Sequence, residues 1–282
     1  MKCAWQAYLS LLPRKMQQEV NTYGKENLQE LRLRIGQAPL MCFQDGIRSL
    51  SAPANKEDIA FVINAASEYS PWAAKTIAQG FLTGPGGHRI GVCGMATQTD
   101  GTLRNIANPT SWCIRVARDF AGIAGEAAKI SKSILIIGPP GSGKTTLLRD
   151  LIRAKGNEDR GCIAVVDERE ELFPLYKGQT CFFPGTQTDV LSGCGKQSGI
   201  EAVLRSMNPV WIAVDEITKT QDCDALLQAG WCGVRFMATA HAGSMEDLMT
   251  RPVYRPLIVN KLFDTVLVLS KDKTWRMERM HL

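Results

Sequence analysis

Between residues 138 and 145 the chain reads Gly138-Pro139-Pro140-Gly141-Ser142-Gly143-Lys144-Thr145, which satisfies the pattern G-x-x-x-x-G-K-[ST] at every position. Residues of these types at this spacing hold phosphate. The glycines let the backbone turn tightly and aim N–H groups at phosphate oxygens, and a helix starting behind them adds partial positive charge. Lys144 is expected to reach the β and γ phosphates of ATP, and Thr145 to ligate Mg²⁺. The apolar run Ile134–Ile137 precedes the loop and a helix candidate, Thr146–Ala154, follows it, so Thr146 counts with the binding loop.

Carboxylates supply the other half of such a site. Val210–Glu216, VWIAVDE, reads as a buried strand ending in two acids. Carboxylates at a strand end can hold the Mg²⁺ shell and polarise a water. Glu216 is assigned to catalysis and, with Asp215, to the metal. A second acidic run, Asp167-Glu168-Arg169-Glu170-Glu171, follows the strand Ile163–Val166. That strand is expected beside the P-loop strand, which would let Asp167 or Glu168 face the γ-phosphate as general base or water-orienter. The alternative is a solvated charge run capping a helix. His241, after the strand Phe236–Ala240, is expected to sense the γ-phosphate by a hydrogen bond; a purely structural histidine is the competing reading.

The elements that position these residues repeat as strand, loop, helix from Ser133 onward. The four apolar runs Ile134–Ile137, Ile163–Val166, Val210–Val214 and Phe236–Thr239 imply a parallel sheet covered on both faces, with its ligand at the carboxyl ends of the strands. The N-terminal part differs. Trp5, Tyr8, Leu9, Leu12 and Met16 recur at helical spacing over residues 1 to about 20. Trp5 and Tyr8 there either fill a local core or dock a membrane protein. Leu31, Leu33 and Ile35 alternate with Arg32 and Arg34, as in a half-buried strand. A turn at Gln44-Asp45-Gly46 comes next, then helices opening at Asn55 and at Ser70-Pro71. Glycine-rich residues 81–98 suggest a β-hairpin carrying His88 and Arg89 at its rim, and Trp112–Ala117 a further strand bearing Arg115, with Arg118 just beyond. The expected organisation is a smaller α+β domain over 1–120, a linker over 121–132, and an α/β domain over 133–282.

Composition sets limits on function. With 45% hydrophobic and 22% charged residues, the 282-residue chain reads as soluble and globular. A net charge of +5 permits an acidic membrane surface or nucleic acid without requiring either. The nine cysteines include no C-x-x-C pair, so zinc-site spacing is absent and reduced thiols in a cytosolic compartment are expected. No apolar run approaches the roughly 20 residues that span a bilayer, and the N-terminus lacks a cleavage site. Membrane contact is therefore expected to be peripheral.

Taken in order, GPPGSGKT, VVDEREE, WIAVDE and ATAH resemble the Walker A, Asp box, Walker B and His box of the type II/IV secretion ATPase branch of the RecA-like fold. The lead-in Leu204–Pro209, LRSMNP, is similar to the L-R-x-x-P-D of those ATPases. The resemblance sharpens to the stage III sporulation protein AA family through ELRLRIGQ (30–37), GGHRIGVCG (86–94), IRVAR (114–118), DEREE (167–171), TDVLSGC (188–194) and TAHAGSMEDLMTRPVYRPLI (239–258). It spans roughly residues 30 to 270.

The resemblance implies a RecA-like P-loop ATPase core preceded by the smaller domain. It also implies a homo-oligomer, a hexamer, at the cytoplasmic face of a membrane. Such an assembly would work with membrane proteins of a channel between mother cell and forespore. It further implies that arginines of the N-terminal domain or of a neighbour neutralise phosphate charge; Arg89, Arg115 and Arg118 are the candidates. The chain departs from the secretion ATPases by carrying Asp215-Glu216 in place of Gly-Glu, Thr218 in place of an arginine, and Asp167-Glu168 in place of Glu-Asp. Two other functions compete. A nucleic-acid-dependent ATPase would need basic blocks interleaved with aromatics, which the dispersed lysines and arginines do not form. A nucleotide-gated scaffold with negligible turnover would have little use for the carboxylates.

Overall fold

The computed structural model describes residues 1–67, 80–158 and 161–280. The helix expected to open at Ser70-Pro71 lies outside the described residues. The chain divides into two compact units, Met1–Asp119 with Leu175–Cys181, and Phe120–Pro174 with Phe182–Leu282.

In the N-terminal unit, β1 (Leu28–Arg34), β2 (Leu40–Phe43), β3 (Gly46–Ser49), β4 (Phe81–Thr83), β5 (Arg89–Thr99) and β6 (Thr102–Arg115) form a sheet of order β3-β2-β1-β6-β5-β4. Every pairing in it is antiparallel. Leu31, Leu33, Met41, Ile90, Val92, Trp112 and Ile114 share one face and pack with Tyr8, Leu12, Met16, Val20, Ile59 and Val62 from the helices. The period of two read at Leu31 to Arg34 is thus the alternation of core and open faces. The single helix expected over residues 1–20 is two, Trp5–Ser10 and Arg14–Gly24. Pro13 breaks it, since proline disfavours helical backbone in the preceding residue and offers no N–H of its own. Trp5 and Tyr8 are buried in this core. The helix Lys56–Ser67 opens with reciprocal capping: Asn55 Oδ1 accepts from the Asp58 N–H and Asp58 Oδ2 from the Asn55 N–H, each at 2.8 Å.

His88 corrects another expectation, because it is fully buried rather than at a rim. Its Nε2 donates to the Ala4 carbonyl at 3.0 Å and its Nδ1 accepts from the Ala117 N–H at 3.0 Å. Only the neutral ring satisfies both bonds. Burial, with Arg118 adding to it, lowers the His88 pKa from 6.5 to about 4. The unfolded chain then takes up a proton that the folded unit refuses. Stability is therefore full above pH 6.5 and falls as pH drops toward 4, by about 3 kcal/mol. Urea unfolding followed from pH 7 to 4 should show this loss, and His88→Gln should flatten that part of the profile. Equal slopes in both proteins would contradict it.

The C-terminal unit carries a seven-stranded sheet of order β11-β8-β12-β13-β7-β14-β15. Its strands are β7 (Ile134–Ile137), β8 (Ile163–Asp167), β11 (Thr188–Ser192), β12 (Trp211–Ile217), β13 (Arg235–Ala240), β14 (Thr265–Leu269) and β15 (Trp275–Arg279); β9 (Leu175–Tyr176) and β10 (Gln179–Thr180) form a separate hairpin. All pairs in the large sheet are parallel except β14 with β15. Leu135, Ile137, Val166, Ile212, Val214, Phe236 and Ala238 face the core shared with helices Lys196–Ser206, Thr220–Trp231 and Arg255–Val259. Ile136, Val165, Ala213 and Met237, of the opposite parity, are buried too. Both faces are covered, as continuous apolar strands require.

The order overturns one premise. β8 does not lie beside the P-loop strand β7, whose neighbours are β13 and β14. The crossover from β7 to β8 passes over two strands added later in the chain, and nothing in either strand's own sequence encodes that.

The stretch expected as a linker, 121–132, packs within the C-terminal unit. The buried Asp150 carboxylate accepts from the Gly122 N–H at 3.1 Å and the Ala124 N–H at 2.7 Å, and Lys155 Nζ donates to the carbonyls of Ala128 and Ile130. Among the described residues no helix is long and apolar enough to cross a membrane. Among the described residues no disulfide joins any of the nine cysteines.

Candidate functional site

The loop expected to bind phosphate begins where β7, buried throughout, delivers Gly138. Gly141 (φ 75°) and Gly143 (φ 96°) take the left-handed conformation that L side chains resist. Gly143 then caps the helix Lys144–Gly156, with no side-chain cap hydrogen bond among the described residues. The helix therefore presents unsatisfied N–H groups and the positive end of its dipole to the loop. Ser142 is almost fully buried, yet its hydroxyl has no hydrogen-bond partner among the described residues. Glycines that exclude a Cβ, an orphan hydroxyl and an uncapped N-terminus suit an anion of phosphate type.

Lys144 Nζ bonds to the loop's own carbonyls, Gly138 at 2.8 Å and Pro139 at 3.0 Å, and lies 3.2 Å from His241 Nδ1. Burial lowers its pKa, while Asp215 and Glu216 pull it back up. Since Nδ1 faces an ammonium, it must accept, so His241 Nε2 carries the proton and donates to Glu216 Oε1 at 3.1 Å. Arg169 Nη1 pairs with the other oxygen of Glu216. Lys144, His241 and Glu216, far apart in sequence, thus form one polar chain.

Asp215 and Glu216 share a β-bulge. Pairing between β12 and β13 runs in register to Val214↔Ala238 and resumes at Ile217↔Ala240, so two residues of β12 face one residue of β13, Thr239. Glu216 takes φ 54°, a left-handed value that costs about 1–2 kcal/mol outside glycine. Bulges re-aim side chains; without this one, neighbouring residues of a strand would point to opposite faces. Here Asp215 Oδ2 accepts from Thr145 Oγ1 at 2.8 Å while Glu216 meets His241. The Thr145 hydroxyl and Asp215 carboxylate are hard oxygen donors. One carboxylate and one hydroxyl, completed by substrate phosphate and water, is how Mg²⁺ is commonly held. The residues present fit that ion.

Asp167 and Glu168, the two candidate acids of the second run, are engaged as follows. Asp167 is buried at the end of β8 and accepts from the backbone N–H groups of Glu171, Leu172 and Phe173 at 2.8–3.0 Å. Burial raises its pKa to about 6, and those three hydrogen bonds act in the opposite direction. Glu168 pairs with the buried Lys196 and lines a cavity of about 460 Å³ with Ser198, Lys219 and Asp222. Arg149 holds the same loop from behind, donating to the carbonyls of Leu172 and Glu171 at 2.6 Å. The run that follows β8 is therefore braced at both ends, and Arg169 in it pairs with Glu216 of β12.

Arg89, Arg115 and Arg118 belong to the N-terminal unit. Arg89 and Arg115 are directly opposed on β5 and β6. Like charges so placed repel. Arg89 lies 3.9 Å over the Phe81 ring, and Arg115 Nε is 3.6 Å from Glu30. Arg118 donates to the Leu28 and Glu26 carbonyls at 2.8 and 3.2 Å. The register puts Arg32 and Arg34 on the same open face as Arg115. The alternation of arginine with leucine in 31–34 was the signal for that face, but the pairing partner decides which arginines share it. Thr239 and Arg169 were also missed. A threonine inside FMATA was a signal for the first; the charge run hid the second.

Three comparisons bear on this arrangement. A family model described as "Sporulation stage III, protein AA" matches residues 5–277. The Stage III sporulation protein AA of Bacillus subtilis (strain 168) is 33% identical over 276 residues, 93% of this chain and 90% of that protein. Among solved structures, the ATPase DotB of Legionella pneumophila aligns with a TM-score of 0.57 at 17% identity, covering 95% of this chain and 80% of its own. The pilus retraction motor PilT with bound ADP aligns at 0.56 and 14% identity, covering 90% and 76%. At these identities the structural likeness establishes the fold alone, with a RecA-like core.

Proposed function

The chain belongs to the sporulation stage III, protein AA family, and from its site we propose an ATP-hydrolysing motor of the secretion-ATPase type. It would energise assembly of, or transport through, a channel between mother cell and forespore. One observation carries the catalytic part: the P-loop lysine, a histidine from β13 and the bulged glutamate of β12 form a single chain, with Thr145 bonded to Asp215 beside it.

In this reading the loop N–H groups and Lys144 receive the β and γ phosphates. Lys144 exchanges the Gly138 and Pro139 carbonyls for phosphate oxygens. Thr145 and Asp215 would hold Mg²⁺, and the ion would supply neutralisation of phosphate charge. Glu216 orients the attacking water and takes its proton. His241 fixes the position of the Glu216 carboxylate through Nε2–H and reports on the phosphate through Lys144. Asp167 and Glu168 serve by bracing the loop that carries Arg169. The motor would act as a homo-oligomer, proposed as a hexamer, peripheral at the cytoplasmic face of the membrane. Arg89, Arg115 or Arg118, from the same chain or a neighbour, would add charge to the phosphates.

The test is phosphate release by the purified chain with ATP and Mg²⁺, together with sedimentation with and without a nonhydrolysable ATP analogue. Mg²⁺-dependent release and assembly around the analogue are expected. Tight binding without release would favour a nucleotide-gated scaffold. Release that rises only with DNA or RNA would favour a nucleic-acid ATPase, and a persistent monomer would count against the ring.

A further inference from the structure

We propose that Thr239 is a positioning residue that sets the orientation of both acids in the β12 bulge. The inference deepens the ATPase reading above and rests on it.

Thr239 is 1% exposed in the middle of a strand whose neighbours Phe236, Met237, Ala238 and Ala240 are apolar and buried. A buried hydroxyl left without hydrogen bonds costs free energy. This one makes two, and both go to the bulge. Its oxygen accepts from the Glu216 N–H at 2.8 Å, and its proton goes to Asp215 Oδ1 at 2.5 Å. Two residues of β12 face one residue of β13 in this bulge, which disturbs the ladder bonds there. The hydroxyl supplies the acceptor for Glu216, the residue held at positive φ.

The second bond divides the work of the Asp215 carboxylate. With Oδ1 occupied by Thr239, Oδ2 is the oxygen turned to Thr145. That is the side on which the Mg²⁺ donors gather. A single hydroxyl therefore ties the direction of the metal-facing oxygen to the backbone that aims the Glu216 side chain. Valine has the same shape and suits a buried strand better, so packing alone would not call for threonine here.

The test compares Thr239→Val and Thr239→Ser in the full chain. Thr239→Val should lower kcat by about 10–100-fold with KM for ATP changed by less than about threefold. The Mg²⁺ concentration for half-maximal binding of a nonhydrolysable ATP analogue should rise by about tenfold. Amide hydrogen exchange over residues 214–218 should accelerate in the nucleotide-free protein. Thr239→Ser keeps the hydroxyl and should stay within about threefold of wild type in all readouts. If Thr239→Val folds poorly, Thr239→Ala removes the same hydroxyl and serves instead. Wild-type kcat and Mg²⁺ dependence in Thr239→Val would overturn the proposal. So would Thr239→Ser failing as badly as Thr239→Val, because the methyl group would then be what matters. Should wild type itself bind no nucleotide, the ATPase reading falls, while unchanged exchange in Thr239→Val would separately remove the positioning contact.

Discussion

Lys144→Ala is expected to weaken binding of Mg²⁺·ATP by roughly 100- to 1000-fold and to abolish measurable phosphate release. An ammonium about 4 Å from a phosphate charge near a protein surface gains about 4 kcal/mol at an effective dielectric of 20. Part of that is offset, because Lys144 gives up bonds to the Gly138 and Pro139 carbonyls and its contact with His241. A net of about 3–4 kcal/mol corresponds to the stated range at 1.36 kcal/mol per factor of ten. Calorimetric titration checks the affinity, and the melting profile checks the fold. Affinity within threefold of wild type would remove the phosphate role of Lys144.

Glu216→Gln should separate binding from turnover. Its amide keeps the shape and one acceptor oxygen, so His241 Nε2–H retains its partner. The NH₂ group then faces Arg169 and cannot replace the ion pair at Oε2. The variant lacks a base for the water, and kcat should fall by roughly 100- to 10000-fold. Nucleotide affinity should change little, because Glu216 makes no bond to the loop. Single-turnover hydrolysis measured beside equilibrium binding reads both. Turnover at the wild-type rate would remove the catalytic assignment of Glu216.

The parts of the molecule that the sequence made legible are those governed by local physics. The P-loop needs positive φ at Gly141 and Gly143 and a helix directly behind, and both demands are met within a dozen residues. Continuous apolar runs announced β7, β8, β12 and β13 because a strand covered on both faces has no polar side. The break at Pro13 was written in the chain as well, yet helical spacing on either side of it concealed the stop.

Strand order was beyond local reading. The position of β8 three places from β7 is decided by where crossovers land. That misplacement is what set Asp167 beside the P-loop strand. Its burial and its three backbone donors follow from the turn after β8, whose geometry depends on Arg149 from another element. The bulge at Asp215-Glu216 is equally non-local, because it exists only against Thr239 of β13.

The most direct measurement is calorimetric titration of the purified wild-type chain with a nonhydrolysable ATP analogue in Mg²⁺. One analogue bound per chain, with affinity that collapses on chelation of the metal, is the predicted result. No binding at millimolar analogue, or binding that Lys144→Ala leaves unaltered, would contradict a triphosphate seated between the loop after β7 and the acids of β12.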